Sequence, residues 1–147
     1  MAKLLYPFVA LSVLAVAGLV VLHRMENPKS KYDDYQAVVA DGAIGRGWVP
    51  PFLPRSAIEI TEQHSIDANF GFISFNADAE DIERMKDRCA EMQYTEVKYL
   101  SSYPIWWPTE LTGSNEVSAN LDFYLCAEYG ILTSLDGEKM FYWHISE

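Results

Sequence analysis

The chain has 147 residues, half of them hydrophobic and 14% aromatic, with eleven Lys/Arg against twenty-one Asp/Glu. That size allows one domain plus an appendage, and this aromatic content argues against a disordered chain. A net charge of −10 excludes a nucleic-acid partner held by phosphate neutralisation.

The charge is split along the chain. In the first 31 residues Lys3, Arg24, Lys29 and Lys31 face only Glu26, whereas the remainder holds seven basic against twenty acidic side chains. Such acidity reads first as solubility and second as a surface for a basic partner.

Residues 4–22 (LLYPFVALSVLAVAGLVVL) carry no charge. As a helix rising 1.5 Å per residue they would span roughly 28 Å, about one hydrocarbon core. Two readings stand: an uncleaved transmembrane signal anchor over residues 1–24, or a signal peptide cut after Ala15-Val16-Ala17. A cut there splits a continuous apolar run, which favours the anchor and makes the lipid bilayer a partner through residues 4–22. No Cys ends the run, which excludes the usual bacterial lipoprotein attachment. The positive-inside comparison, Lys3 and the amino terminus against Arg24, Lys29 and Lys31, is close and slightly favours a cytoplasmic C-terminus.

Residues 25–31 read as a polar linker and 32–147 as the acidic domain. Ser30 is placed to cap a helix carrying Tyr35, Val38 and Val39, with Asp33 and Asp34 in its first turn and Gly42 closing it. Next comes GWVPPFLP, residues 47–54. Pro50, Pro51 and Pro54 fix φ and lack an N–H, so Trp48, Phe52 and Leu53 ride on a rigid extended segment. The stretch that follows alternates, with Ile58, Ile60, Glu62, His64 and Ile66 on one face of a strand. Asp67 to Asn69 reads as a turn into a second, antiparallel strand over 70–75.

Residues 78–93 predict the main helix, capped by Asp78, with Ile82, Met85, Cys89 and Met92 as its apolar stripe. A short strand is expected over 94–100. Residues 101–120 have no clean period and hold Pro104, Trp106, Trp107, Pro108 and a Gly113-Ser114-Asn115 turn. Residues 121–128, 131–135 and 139–145 read as a closing meander, with a hairpin at Asp136-Gly137. The expected fold is α+β: a transmembrane helix, then an antiparallel sheet of about five strands with one main helix packed on it. The proline-rich segment and the Trp loop are expected to seal the sheet edges.

The candidate site residues are few. Glu62 and His64 share a face at i, i+2, and Asp67 and Asn69 follow. With His144 converging on them they would suit a small hydrolase or a metal site. The blander reading is that they fix a strand end and a turn by hydrogen bonds. Trp106 and Trp107 between prolines read either as an exposed binding patch or as packing. Cys89 and Cys126 are the only cysteines and can bridge in an oxidising compartment or sit as separate buried thiols. There is no phosphate loop, G-x-S-x-G, H-E-x-x-H or CxxC, so neither catalytic residue nor cofactor is assigned.

One stretch resembles a family. Asp41-Gly42, Arg46-Gly47-Trp48-Val49-Pro50, Leu53-Pro54, Ser56-Ala57, Ile60, Glu62, His64, Ile66-Asp67 and Asn69 follow a pattern similar to small membrane-anchored or lipoprotein domains of bacteria, described as YbbD-head-like. The resemblance implies a bacterial envelope location and fold kinship, and no chemistry. Together with the acidity it favours a bacterial inner-membrane protein with a periplasmic domain. The function expected is a non-catalytic module for an envelope protein or cell-wall partner. The alternatives are a hydrolase or metal-binding enzyme using Glu62, His64 and Asp67, and a purely structural domain.

Overall fold

The computed structural model describes residues 5–68, 70–113, 120–127 and 130–145. Helix α1 (Leu5–Glu26) opens the chain, and strand β1 (Lys29–Asp34) leads into the short helix α2 (Tyr35–Asp41). Strands β2 (Ile58–His64) and β3 (Phe70–Asn76) form a hairpin, followed by α3 (Ala79–Lys86) and the three-residue strand β4 (Ala90–Met92). Strands β5 (Phe123–Cys126), β6 (Gly130–Ser134) and β7 (Lys139–Ile145) close the chain. The described strands make one antiparallel sheet of seven in the order β1-β2-β3-β7-β6-β5-β4. The fold is therefore α+β, with seven strands rather than five.

Both extra strands lie at edges, where an apolar alternation is not required. Strand β1 (KSKYDD) turns only Tyr32 fully inward. It occupies residues expected to be linker and first helical turn. The helix cap moves accordingly: Asp34, not Ser30, accepts a hydrogen bond from the Ala37 N–H at 2.8 Å. Gly42 at φ +75° ends α2 as expected, its N–H turned back to the carbonyls of Val38 and Val39.

The main helix stops at Lys86, well short of residue 93. Cys89 is joined to Cys126 with Cα atoms 4.5 Å apart. Extending the β4–β5 register by one residue from Ala90↔Leu125 sets Cys89 opposite Cys126. The bridge thus holds a very short edge strand in line and draws the chain out of the helix. Closing a loop of 37 residues removes about 4 kcal/mol of unfolded-state freedom in the chain-entropy account. Residues 94–100 form no strand; Tyr94–Glu96 is a 3-10 turn.

The sheet has two apolar faces, and the proline-rich segment and the Trp loop cover these faces rather than its edges. On the first, Ile60, Ile73, Phe75, Leu132, Met140 and Tyr142 meet Val38 of α2, Val49 and Leu53 of the proline-rich segment, and Ile82 and Met85 of α3. On the second, Phe72, Phe123, Ile131, Phe141 and Trp143 meet Val97, Trp107 and Leu111. Each such side chain contributes roughly 1.5–3 kcal/mol by leaving water. Along β7 the side chains alternate, with Met140 and Tyr142 on the first face and Phe141 and Trp143 on the second.

A bulge tunes β2. Glu59 sits at φ +52° and the β2–β3 register shifts between Ile58 and Thr61. The extra residue turns Ile58 to solvent while Ile60, Glu62 and His64 stay inside. Ile66 lies past the strand end at the hairpin tip and is exposed. The described side chains of α1, residues 9–22, are all exposed. Among the described residues no helix is long and apolar enough to cross a membrane. Asn69, Ser114, Asn115 and Glu128, each part of an expected turn or strand, lie outside the described residues.

Candidate functional site

Alternation puts Glu62 and His64 on the first face of the sheet, and the pairing brings His144 beside them. Gly71 of β3 lies opposite His64 on one side and opposite His144 on the other. A Cβ at Gly71 would stand 2.5 Å from the His144 Cε1, so the imidazole lies across the bare backbone of β3. Gly130 plays the same part under Tyr142, where a Cβ would stand 2.0 Å from the phenol oxygen.

The proline-rich segment lays a lid over this row. The Trp48 indole stacks on the His64 ring, centroids 4.2 Å apart and planes 21° from parallel. The Arg46 guanidinium lies 3.8 Å from the centroid of the Trp48 ring. Arg46 is itself held by Asp41, through the carboxylate and through the backbone carbonyl at 2.6 Å. Gly47 at φ +78° lets the chain turn between the two stacked groups. A ladder of Asp41, Arg46, Trp48, His64 and Glu62 thus runs from solvent into the core.

At its foot the Glu62 Oε1 lies 2.6 Å from the His64 Nδ1, with Glu62 fully buried and His64 6% exposed. Burial pushes the Glu62 carboxyl up to about 8; the Arg46 charge opposes this and Asp41 adds to it. Burial also holds His64 below the usual histidine range, helped by Arg46 and His144, and burial lowers His144 too. The pair is therefore a neutral hydrogen bond at neutral pH, one proton shared between acid and ring. Among the described residues Glu62 Oε2 and His64 Nε2 have no hydrogen-bond partner. A dyad sealed beneath an indole can hold a proton, but the indole stands where a substrate would have to approach.

The other candidates separate. Asp67 is exposed at the turn between β2 and β3, whereas Glu62 and His64 are buried. Among the described residues no group of three His, Cys, Asp or Glu can hold a metal ion. Trp107 is not part of an exposed patch. It is 4% exposed and packs edge-on against Phe72, Phe141 and Trp143 at 4.9, 5.5 and 5.8 Å. An apolar sheet face needs a cover, and this aperiodic loop provides it.

Trp106 is half-buried, its indole N–H donating to Gln63 Oε1 at 2.7 Å and its ring 5.2 Å from the Lys29 ammonium. It walls a groove of about 750 Å³ with Phe70, Phe72, Tyr103 and Lys29, and the neighbouring Ile105 is fully exposed. Sequence reasoning missed this groove because β1, which forms one wall, was not legible. It also missed a smaller cavity of about 370 Å³ lined by Arg55, Arg84 and Arg88, where Arg84 is already paired with Glu80 and Asp81.

Residues 26–76 match the family model of the YbbD head domain. The match runs from the end of α1 to the end of β3 and contains every member of the stacked ladder. No curated protein and no solved structure matches the chain.

Proposed function

We propose that the protein is a membrane-tethered, non-catalytic envelope module: the apolar helix anchors an acidic α+β domain that presents the groove beside Trp106 to a partner. One observation carries the tether. The described side chains of α1 are exposed, Leu11, Leu14 and Leu19 at 67, 70 and 67%, while both faces of the sheet are covered without them. As a sequence, the uncharged run over residues 4–22 is costly in water and, as a helix rising 1.5 Å per residue, would span roughly 28 Å, about one hydrocarbon core. The full uncharged run also includes residues 4–8, which precede the described side chains.

The Cys89–Cys126 bridge and the acidity of the domain support the periplasmic side of a bacterial inner membrane. The groove suits binding rather than chemistry. Its walls are aromatic and its polar groups, Lys29, Gln63 and Ser102, offer contacts without a poised acid or base. The buried dyad in this reading fixes the proline-rich segment on the sheet. A photo-crosslinker in place of Ile105 in intact cells tests the binding surface. A discrete crosslinked species that disappears with Trp106→Ala is expected. Labelling that is the same with and without Trp106 would remove the binding role.

A further inference from the structure

The end of the domain nearest α1 is built differently from the rest of its surface. The hairpin tip between β2 and β3 is tied directly to the anchor, the Ile66 N–H donating to the Glu26 carbonyl at 3.0 Å. The His64 N–H donates to the Pro28 carbonyl just beyond it, at 3.3 Å. At this end two large aliphatic side chains stand in solvent, Ile66 at 64% and Ile105 at 106% relative exposure. Ile105 lies in the loop Pro104-Ile105-Trp106, which borders the same groove as Asn27 and Lys29. Among the described residues the other exposed large aliphatics of the domain are Ile58, at the far end of β2 beside the bulge, and Val39 of α2.

The vertical distance fits. From Leu22, the last residue of the apolar run, to Glu26 the helix rises roughly 6 Å at 1.5 Å per residue. The headgroup layer on each side of a hydrocarbon core is about 5–7 Å deep. Glu26, and the hairpin tip bonded to it, then lie at headgroup level. Half-buried Trp and Tyr, lysines and exposed aliphatic tips form the side-chain set found at that level. Trp106, Tyr103 and Lys29 supply it around the groove, with Lys31 next along the same face of β1.

We infer that the anchor-side end of the domain is a lipid-contacting surface, in which Ile66 and Ile105 enter the headgroup layer and the groove beside Trp106 takes a phospholipid of that leaflet. The inference rests on the membrane tether proposed above and names the partner of the same groove. Apolar tips supply the contact, because a domain this acidic is repelled by anionic headgroups. The domain therefore lies against the bilayer instead of swinging on its tether.

The test uses the full chain with its disulfide oxidised, reconstituted in vesicles of phosphatidylcholine with phosphatidylglycerol. An environment-sensitive fluorophore is attached in turn to Ile105→Cys, Ile66→Cys and Glu138→Cys, the last in the turn at the opposite end of the sheet. The expected result is a blue shift and strong quenching by shallow spin-labelled lipids at positions 105 and 66, with position 138 reporting water. Positions 105 and 66 indistinguishable from 138, in chains that float with the vesicles, overturn the inference and leave the tether intact. Chains that do not float overturn the tether itself. Position 105 shielded only after envelope protein is added assigns the groove to a protein partner and overturns the lipid assignment.

Discussion

The two faces of the sheet are covered by opposite means. One is covered by two short helices and a proline-rich segment, and it buries a polar ladder ending in Glu62 and His64. The other is covered by a loop with almost no regular structure, and aromatic rings dominate it. On the first face the sequence pattern is rigid and local: prolines fix the chain, and an alternating strand aims two titratable groups inward. On the second, nothing local dictates the path. Phe72, Tyr103, Trp106, Trp107, Phe141 and Trp143 find one another from distant parts of the chain. A packed aromatic face can thus arise without periodicity, whereas a buried polar group needs defined neighbours.

Breaking the aromatic face should cost most. Trp107→Ala removes the ring shared by Phe72, Phe141 and Trp143 and is expected to lower stability by about 4 kcal/mol in denaturant titration. Trp107→Phe should cost clearly less, because among the described residues the buried indole N–H has no hydrogen-bond partner to lose. Replacing Cys89 and Cys126 with Ser should cost about 3 kcal/mol and lower the melting temperature, with first loss of amide protection in β4.

The polar face is sharpened by smaller changes. Gly71→Ala drives a methyl into the His144 ring and should cost about 2 kcal/mol. Adding His144→Ala should restore part of that loss, and the double-mutant cycle measures the coupling. A further test lies in pH dependence. Glu62 titrates near 8 in the folded chain against an ordinary 4.5, so its contribution is present below 4.5 and is lost as pH rises through 8. The lowered histidines act oppositely: their contribution is present above about 6.5 and is lost as pH falls through their folded values. Glu62→Gln should remove the fall in melting temperature that Glu62 contributes between about pH 4.5 and 8 and leave the histidine contribution. A pH dependence unchanged over that window would show that Glu62 is not a neutral buried acid.

Much of the framework was legible in local signals: the αL cap at Gly42, the turn at Asp136-Gly137, the last meander, and the shared face of Glu62 and His64. The rest depends on contacts that local pattern does not encode. Strand β1 is charged because it is an edge with one inward residue, Tyr32. Strand β4 exists through its partner β5 and the disulfide beside it, so its three residues carry no period. The outward turn of Ile58 follows from the bulge at Glu59, which alternation alone does not reveal. The ladder's residue types were visible, but the stacking of Arg46 on Trp48 on His64 required the proline-rich segment to fold back over β2. Trp106 and Trp107 are neighbours in sequence with opposite fates, one walling a groove and the other filling a core.

The central claim is that residues 4–22 tether the acidic α+β domain to a bilayer. Alkaline carbonate extraction of membranes carrying the full chain, followed by intact-mass measurement, tests it most directly. The account predicts that the whole uncleaved chain stays in the membrane pellet with Cys89 and Cys126 bridged. Full-length chain in the aqueous fraction, with residues 4–22 retained and protected inside the fold, would contradict it.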